Sequence, residues 1–204
     1  MKDIHQDTEV LDSGSELEDA DKVVIMLHGR GATAHGIMRL EKQLPEAAYL
    51  APQAANRKWY PRGFLEPREQ NQPDLDSALR KVHSLVEKAS SHVGKDNVYL
   101  LGFSQGGCLA SEYVASNPAS YGGLIVLSGG LIGEGVREFE GDLEEISIFI
   151  GCSENDPHIP LERVEKTEEV FRDLNADVDK KIFEGSKHGI FEYELEAASQ
   201  IMTS

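Results

Sequence analysis

The chain has 204 residues, of which 40% are hydrophobic and 27% charged, a composition typical of a soluble protein with one sizeable core. The 36 acidic and 20 basic residues leave a formal net charge of −16, which disfavours nucleic acid and anionic lipid as partners. No apolar run approaches the roughly 20 residues that span a bilayer, and the acidic N-terminus lacks the apolar stretch of a signal peptide. We therefore expect a cytoplasmic protein without stable membrane association.

The predicted elements alternate along the chain. Residues 1–20 form an acidic N-terminal segment in which residues 9–11 are a candidate for a short edge strand. Continuous apolar runs predict buried strands, and an alternating run at 177–185 predicts an edge strand; the predicted strands cover residues 22–27, 46–52, 97–102, 122–129, 146–151 and 177–185. Helical periodicity or helix-start signals predict helices over residues 74–94, 105–117, 160–175 and 189–202.

This alternation predicts an α/β fold over residues 1–204 as a single domain. Its central sheet is mostly parallel, with six or seven strands, helices on both faces and right-handed crossovers. Residues 52–73 form a long loop without periodicity, and loops of this length are usually functional or disordered. Because the loop carries Trp59, Tyr60 and Phe64, we expect it to be packed. The three aromatic residues either fill the core or line a substrate pocket.

Ser104 lies in a Gly-x-Ser-x-Gly motif between a predicted strand and a predicted helix. A serine on such a sharp turn has strained backbone angles, and only glycine fits two residues to either side. Gly102 and Gly106 occupy those two positions. The motif therefore predicts that Ser104 is a nucleophile at the N-terminus of a helix.

A serine hydroxyl needs a base to take its proton and a third group to orient that base. Asp156 follows the strand at 146–151, and His188 follows the strand at 177–185, in the order Ser–Asp–His expected of α/β-hydrolases. Glu154 is an alternative for the acid. Both predicted partners lie at the carboxyl ends of their strands, where open α/β sheets bind ligands.

The segment after the first buried strand, LHGRGA at residues 27–32, predicts an oxyanion hole. Backbone N–H groups suit this role because they are already oriented. We expect one donor from Gln105, which follows the nucleophile, and one from Arg30. Gly29 would let the backbone approach the substrate.

The remaining candidates are substrate-binding residues. We interpret the four histidines at positions 5, 35, 83 and 92 as structural residues because of their places in the chain. His28 and His158 remain candidates for lining the site, and so do Leu131 and Ile190. Cys108 and Cys152 are too few for a disulfide framework and lack metal-ligand spacing, so we expect free, buried thiols and no metal site.

The chain resembles the phospholipase/carboxylesterase family of α/β-hydrolases, which includes acyl-protein thioesterases and small bacterial carboxylesterases. The matching segments are LHGRGA, LAPQAA, WYP, GFSQGG, LSGGL, DPHIP and HGI. The resemblance implies the same roles for Ser104, Asp156 and His188, and for the amides of Arg30 and Gln105. The thioesterase branch usually has Trp-Phe-Asp in place of WYP and an apolar residue in place of Arg30, which favours a carboxylesterase.

The predicted function is a serine carboxylic-ester hydrolase that forms an acyl-enzyme and needs no cofactor. No insertion is long enough for a large lid, so we expect small or medium acyl esters as substrates. The alternatives are an acyl thioesterase, a lysophospholipase-like activity, and a non-catalytic binding protein on the hydrolase scaffold. The chain is expected to be a monomer or a homodimer.

Overall fold

A computed structural model describes residues 3–203, which contain one seven-stranded sheet. The strands are β1 (Val10–Gly14), β2 (Val23–Leu27), β3 (Ala48–Pro52), β4 (Val98–Phe103), β5 (Gly123–Leu127), β6 (Ser147–Ser153) and β7 (Asp177–Phe183). The helices are α1 (Ala34–Met38), α2 (Asp74–Val93), α3 (Gln105–Ser116), α4 (Leu161–Asp173) and α5 (Glu192–Thr203).

The strand order is β1-β3-β2-β4-β5-β6-β7, and every neighbouring pair is parallel except β1 with β3. The mostly parallel sheet is therefore confirmed. The edge position predicted for residues 177–185 is also confirmed, since β7 closes one end of the sheet. The candidate strand at residues 9–11 is the start of β1, which closes the other end.

Helices cover both faces of the sheet, as the apolar runs predict for a sheet buried on two sides. Strands β2, β3 and β5 are buried along their whole length. One apolar cluster packs α2, α3 and α4 against the sheet, and a second packs α1 and α5 against its other face. Among residues 3–203, no helix is long and apolar enough to cross a bilayer.

Two local features differ from the sequence-based expectations. The five-residue helix α1 was not predicted; its start is capped by Thr33, whose hydroxyl accepts the Gly36 N–H at 3.1 Å, as Thr does at helix N-termini. Helix α5 begins three residues later than expected, at Glu192.

The long loop at residues 52–73 is packed, as expected. Trp59 and Tyr60 are fully buried, and the buried His5 joins the loop to the N-terminal segment. The His5 ring lies within hydrogen-bond distance of the Trp59 carbonyl, at 2.9 Å, and accepts the Ala55 N–H at 3.0 Å. Hydrogen bonds to a buried imidazole thus satisfy backbone groups of a loop that has no sheet partner.

Glu194 is a fully buried carboxylate at the start of α5. One carboxylate oxygen accepts the Phe191 N–H at 2.7 Å, which caps the helix. The other oxygen has no hydrogen-bond partner among residues 3–203 and lies against Gly151 of β6. Burial raises the pKa of Glu194 to about 7, and the hydrogen bond from the Phe191 N–H and the positive charge of Lys187 offset only part of this effect.

We expect Glu194 to make the protein less stable as the pH rises from about 5 to about 8. Its folded-state pKa exceeds the ordinary 4.5, so its contribution is fully present below pH 4.5 and is lost as the pH rises through about 7. Glu194→Gln should flatten this dependence by an amount on the order of 2–3 kcal/mol. Urea unfolding of the wild type and of Glu194→Gln across this pH range measures the difference. Glu196→Gln, which changes an exposed carboxylate, is the control. Equal slopes for wild type and Glu194→Gln would contradict the prediction.

Candidate active site

Ser104 lies on a sharp turn between β4 and α3, with backbone angles φ 54° and ψ −120°. This conformation is rare for a residue with a side chain and costs on the order of 1–3 kcal/mol. A Cβ on Gly102 would overlap the Gly106 carbonyl, and a Cβ on Gly106 would overlap the Leu27 carbonyl of β2. Both positions therefore require glycine, because the backbones around Ser104 are in direct contact.

His188 joins Ser104 to Asp156 through its two ring nitrogens. Its Nε2 lies 2.9 Å from the Ser104 Oγ, and its Nδ1 lies 2.8 Å from Oδ2 of Asp156. The three residues follow β4, β6 and β7, so parallel strand ends bring them to one edge of the sheet. In this arrangement the imidazole can accept the hydroxyl proton while the carboxylate holds the ring.

The Asp156 carboxylate has no solvent-exposed surface. Its Oδ1 accepts the N–H groups of His158 and Ile159 at 2.8 and 3.0 Å. Burial by itself would raise the pKa of Asp156, but the hydrogen bonds from His188 and from these two amides outweigh it, and the pKa lies below its ordinary value. Asp156 is therefore ionised at neutral pH.

Glu154, the alternative acid, lies outside this chain of hydrogen bonds. Its side chain is exposed, and its Oε1 accepts the Asn155 amide at 2.9 Å and lies 3.5 Å from the Gly185 N. The structure brings Asp156, rather than Glu154, to the His188 ring.

Neighbouring groups hold the His188 ring in place. The Phe103 ring lies 5.0 Å from it between centroids, and the His158 ring meets it edge-on at 4.8 Å. The Ser153 hydroxyl of β6 donates to the Lys187 carbonyl at 2.7 Å. The segment before α5 is thus bonded to the end of β6, where the Asp156 turn begins.

The turn after β2 lies beside Ser104. A Cβ on Gly29 would come within 3.3 Å of the Ser104 Cβ, so the glycine permits this close approach. Arg30 and Gln105 both line the cavity that contains Ser104. Within residues 3–203, no acceptor receives the backbone N–H of either residue. Two residues at this cavity thus have backbone N–H groups without an acceptor among the described residues, and an oxyanion hole needs free donors of this kind.

The cavity at Ser104 has a volume of about 360 Å³, within the usual range for small-molecule sites. Of the candidate substrate-binding residues, four line it: Gly29, Tyr60, Phe64 and His158. Other lining residues were not singled out from the sequence, namely Ala32, Gly63, Phe103, Cys108 and Ile159. Phe103 and Ile159 could have been predicted as lining residues, because Phe103 lies next to Ser104 and Ile159 lies close behind Asp156 in the chain.

Two candidate substrate-binding residues support the site from behind the cavity wall. Burial lowers the pKa of His28, and the neutral ring accepts the Ala54 N–H at 3.1 Å and lies 2.8 Å from the Gly29 carbonyl. The Trp59 indole donates to the His28 carbonyl at 2.8 Å. Both side chains are fully buried and neither lines the cavity. Their hydrogen bonds brace the turn after β2 instead.

Leu131 and Ile190 also lie outside the cavity lining. Leu131 is fully buried in the core, and its N–H donates to the Thr167 hydroxyl at 3.0 Å. Ile190 packs against the apolar cluster that holds α5 to the sheet. Leu131 and Ile190 are therefore close to the motifs in sequence but do not line the cavity.

Comparisons with known proteins identify the family and agree with the fold. A family model described as Phospholipase/Carboxylesterase matches residues 11–203. A phospholipase/carboxylesterase structure from Dyadobacter fermentans is similar over 98% of both chains, at 38% identity and a TM-score of 0.93. The Bacillus cereus carboxylesterase has a TM-score of 0.78 over 97% of this chain and 94% of its own, at 19% identity, and supports the fold alone.

A curated relative carries a different activity in its name. Acyl-protein thioesterase 1 of Kluyveromyces lactis is 25% identical over an alignment of 219 positions, which covers 93% of this chain and 94% of that protein. The match includes the segments that hold Ser104, Asp156 and His188.

We expect Gly106→Ala to destabilise the protein by about 1–3 kcal/mol or more, because the added methyl group would overlap the Leu27 carbonyl. Thermal unfolding measures the loss. Gly135→Ala is the matched control, since a Cβ there meets no atom within 4 Å. Similar unfolding midpoints for the two variants would contradict the close packing of β2 against the elbow.

Proposed function

Because the chain belongs to the phospholipase/carboxylesterase family, we propose that it is a serine hydrolase that cleaves carboxylic esters through an acyl-enzyme. The observation that carries the proposal is the pair of His188 contacts, at 2.9 Å to the Ser104 Oγ and 2.8 Å to Asp156. Fold and family alone would leave the chemistry open. A base in contact with both the nucleophile and an ionised acid supports acyl transfer.

In the first half of the reaction, the Ser104 Oγ forms a bond to the ester carbonyl carbon while its proton passes to Nε2 of His188. Asp156 stabilises the resulting imidazolium. The carbonyl oxygen becomes an oxyanion, and the N–H groups of Arg30 and Gln105 bind it. The intermediate then collapses: the bond to the alcohol oxygen breaks, and His188 gives its proton to that oxygen.

In the second half, water replaces the alcohol. His188 takes a proton from water as the water oxygen attacks the acyl carbon, and the same N–H groups bind the second oxyanion. The bond to the Ser104 Oγ breaks, His188 returns the proton to it, and the carboxylic acid leaves. The protons balance over the cycle without a cofactor. A cavity of about 360 Å³ suits small or medium acyl groups.

Thioester hydrolysis is the second candidate, favoured by the relative named acyl-protein thioesterase, which matches 93% of this chain. The same residues would attack a thioester carbonyl, and the leaving thiol needs less help from His188 as an acid. Rates on oxygen esters and thioesters with the same acyl group distinguish the two activities.

We expect Ser104→Ala to lower hydrolysis of p-nitrophenyl butyrate by roughly 10³-fold or more, because the nucleophile is lost while the fold is kept. A series of p-nitrophenyl esters of increasing acyl length, run with this variant as control, also measures the chain-length preference. A fluorophosphonate probe should label the wild type only. Equal turnover by Ser104→Ala would exclude Ser104 as nucleophile, and an unlabelled, inactive wild type would favour a binding protein.

We expect Asp156→Asn to lower kcat by roughly 10³- to 10⁴-fold, because an amide cannot hold the required imidazole tautomer or stabilise its charged form. Glu154→Gln is the matched control: it neutralises a carboxylate two residues away and should retain nearly full kcat. Steady-state kinetics of both variants on one ester measure the difference. A larger loss in Glu154→Gln than in Asp156→Asn would assign the acid to Glu154.

A further inference from the structure

The backbone N–H of Arg30 lies in a turn that is closely packed on its Gly29 side and open on its Gly31 side. Gly29 and Gly31 flank it, and Gly31 has a positive φ of 77°. A Cβ on Gly31 would meet no atom within 4 Å, so packing does not fix the peptide on that side. An oxyanion donor has to be held in one orientation before the reaction. The turn therefore needs anchors from outside itself.

Main-chain hydrogen bonds supply part of the anchoring. The Gly31 N–H donates to the Arg57 carbonyl at 2.7 Å, and the Ala32 N–H donates to the Gly29 carbonyl at 3.1 Å. The Arg57 Nε returns a bond to the Ala32 carbonyl at 3.3 Å. The bond from Ala32 holds the Gly29 carbonyl, which belongs to the same peptide unit as the Arg30 N–H, and the His28 ring lies 2.8 Å from that carbonyl.

The Arg30 side chain supplies a further anchor, on the far side of this peptide unit. Its guanidinium donates to three successive carbonyls, those of Tyr60 at 3.0 Å, Pro61 at 2.9 Å and Arg62. We call residues 60–64 the wall loop, since Tyr60, Gly63 and Phe64 line the cavity. The rigid fork of Arg suits such a set of acceptors, and it ties the oxyanion turn to the wall loop.

Gln105, the other proposed oxyanion donor, holds the same region of the chain. Its side-chain oxygen accepts the Trp59 N–H at 2.9 Å, and its side-chain N–H group donates to the Tyr60 carbonyl at 2.9 Å. The side chains of Arg30 and Gln105, whose amides are the proposed oxyanion donors, thus both bind residues 59–62. The wall loop is a common support for two N–H groups that come from different elements.

We propose that Arg30 is a positioning residue: its guanidinium, bound to the wall loop, fixes the orientation of its own backbone N–H toward the oxyanion. The proposal rests on the proposed esterase function and adds a role for the side chain. At least three of the five guanidinium N–H donors are already used by carbonyls. This favours a positioning role over a receptor for a substrate carboxylate.

The test compares Arg30→Met and Arg30→Lys with the wild type on p-nitrophenyl butyrate. Lysine keeps the positive charge but concentrates its donors in one small ammonium group, which does not reproduce the fork. We expect both variants to lose roughly 10- to 100-fold in kcat, with KM within about threefold of wild type. Affinity for butylboronic acid, whose serine adduct carries an oxygen in the oxyanion position, should fall by a similar factor.

Lys58→Met is the matched control. It removes a positive charge close to the wall loop, and the Lys58 side chain makes no hydrogen bond or ion pair within residues 3–203. We expect it to match the wild type in kcat and in boronic acid affinity. Arg30→Lys keeps the comparison valid should Arg30→Met fail to fold.

Five outcomes would overturn the proposal. Wild-type kcat in Arg30→Lys would assign the effect to charge, and a raised KM with unchanged kcat in Arg30→Met would assign the wall loop to substrate binding alone. Losses of equal size in Lys58→Met and Arg30→Met would assign it to general electrostatics. A wild-type protein without esterase activity would overturn the proposed function and this inference together, whereas an active wild type with unaffected Arg30 variants would overturn this inference alone.

Discussion

The contact between the backbones of β2 and the Ser104 turn is the constraint on which the site depends. Gly106 lies against the Leu27 carbonyl, and Gly102 lies against the Gly106 carbonyl, so β2, β4 and the first turn of α3 touch without intervening side chains. This contact imposes the strained angles of Ser104, and the surrounding packing has to offset their cost. It also places the turn after β2 beside Ser104, so one backbone contact positions both the proposed nucleophile and the proposed oxyanion turn.

A layer of buried polar groups connects the Ser104 turn and the turn after β2 to the loop that lines the cavity. His28, Trp59 and Gln105 are buried, and each bonds to backbone groups of the turn after β2 or of the long loop. Such groups leave few backbone donors unsatisfied in a loop without a sheet partner. The loop between β3 and α2 is therefore part of the active-site scaffold, although it has almost no regular structure.

At the carboxyl edge of the sheet, the proposed acid and the proposed base lie in different surroundings. Asp156 is buried and bound by two amides in addition to His188, which keeps it ionised in spite of burial. His188 lies at the cavity, between Phe103 and His158. An ionised acid behind an accessible imidazole is the arrangement that a proton acceptor for Ser104 requires.

The sequence by itself determined the parallel sheet and the order Ser104, Asp156, His188, because apolar runs and glycine spacing reflect local backbone requirements. It also identified Tyr60 and Phe64 as candidate lining residues, but it could not separate them from Trp59, His28, Leu131 or Ile190. Only the tertiary structure decided which side chains face the cavity, because that depends on contacts between segments far apart in the chain. The same holds for Arg30 and Gln105, whose side chains meet residues 59–62 across 29 or more positions; no local pattern encodes such a contact.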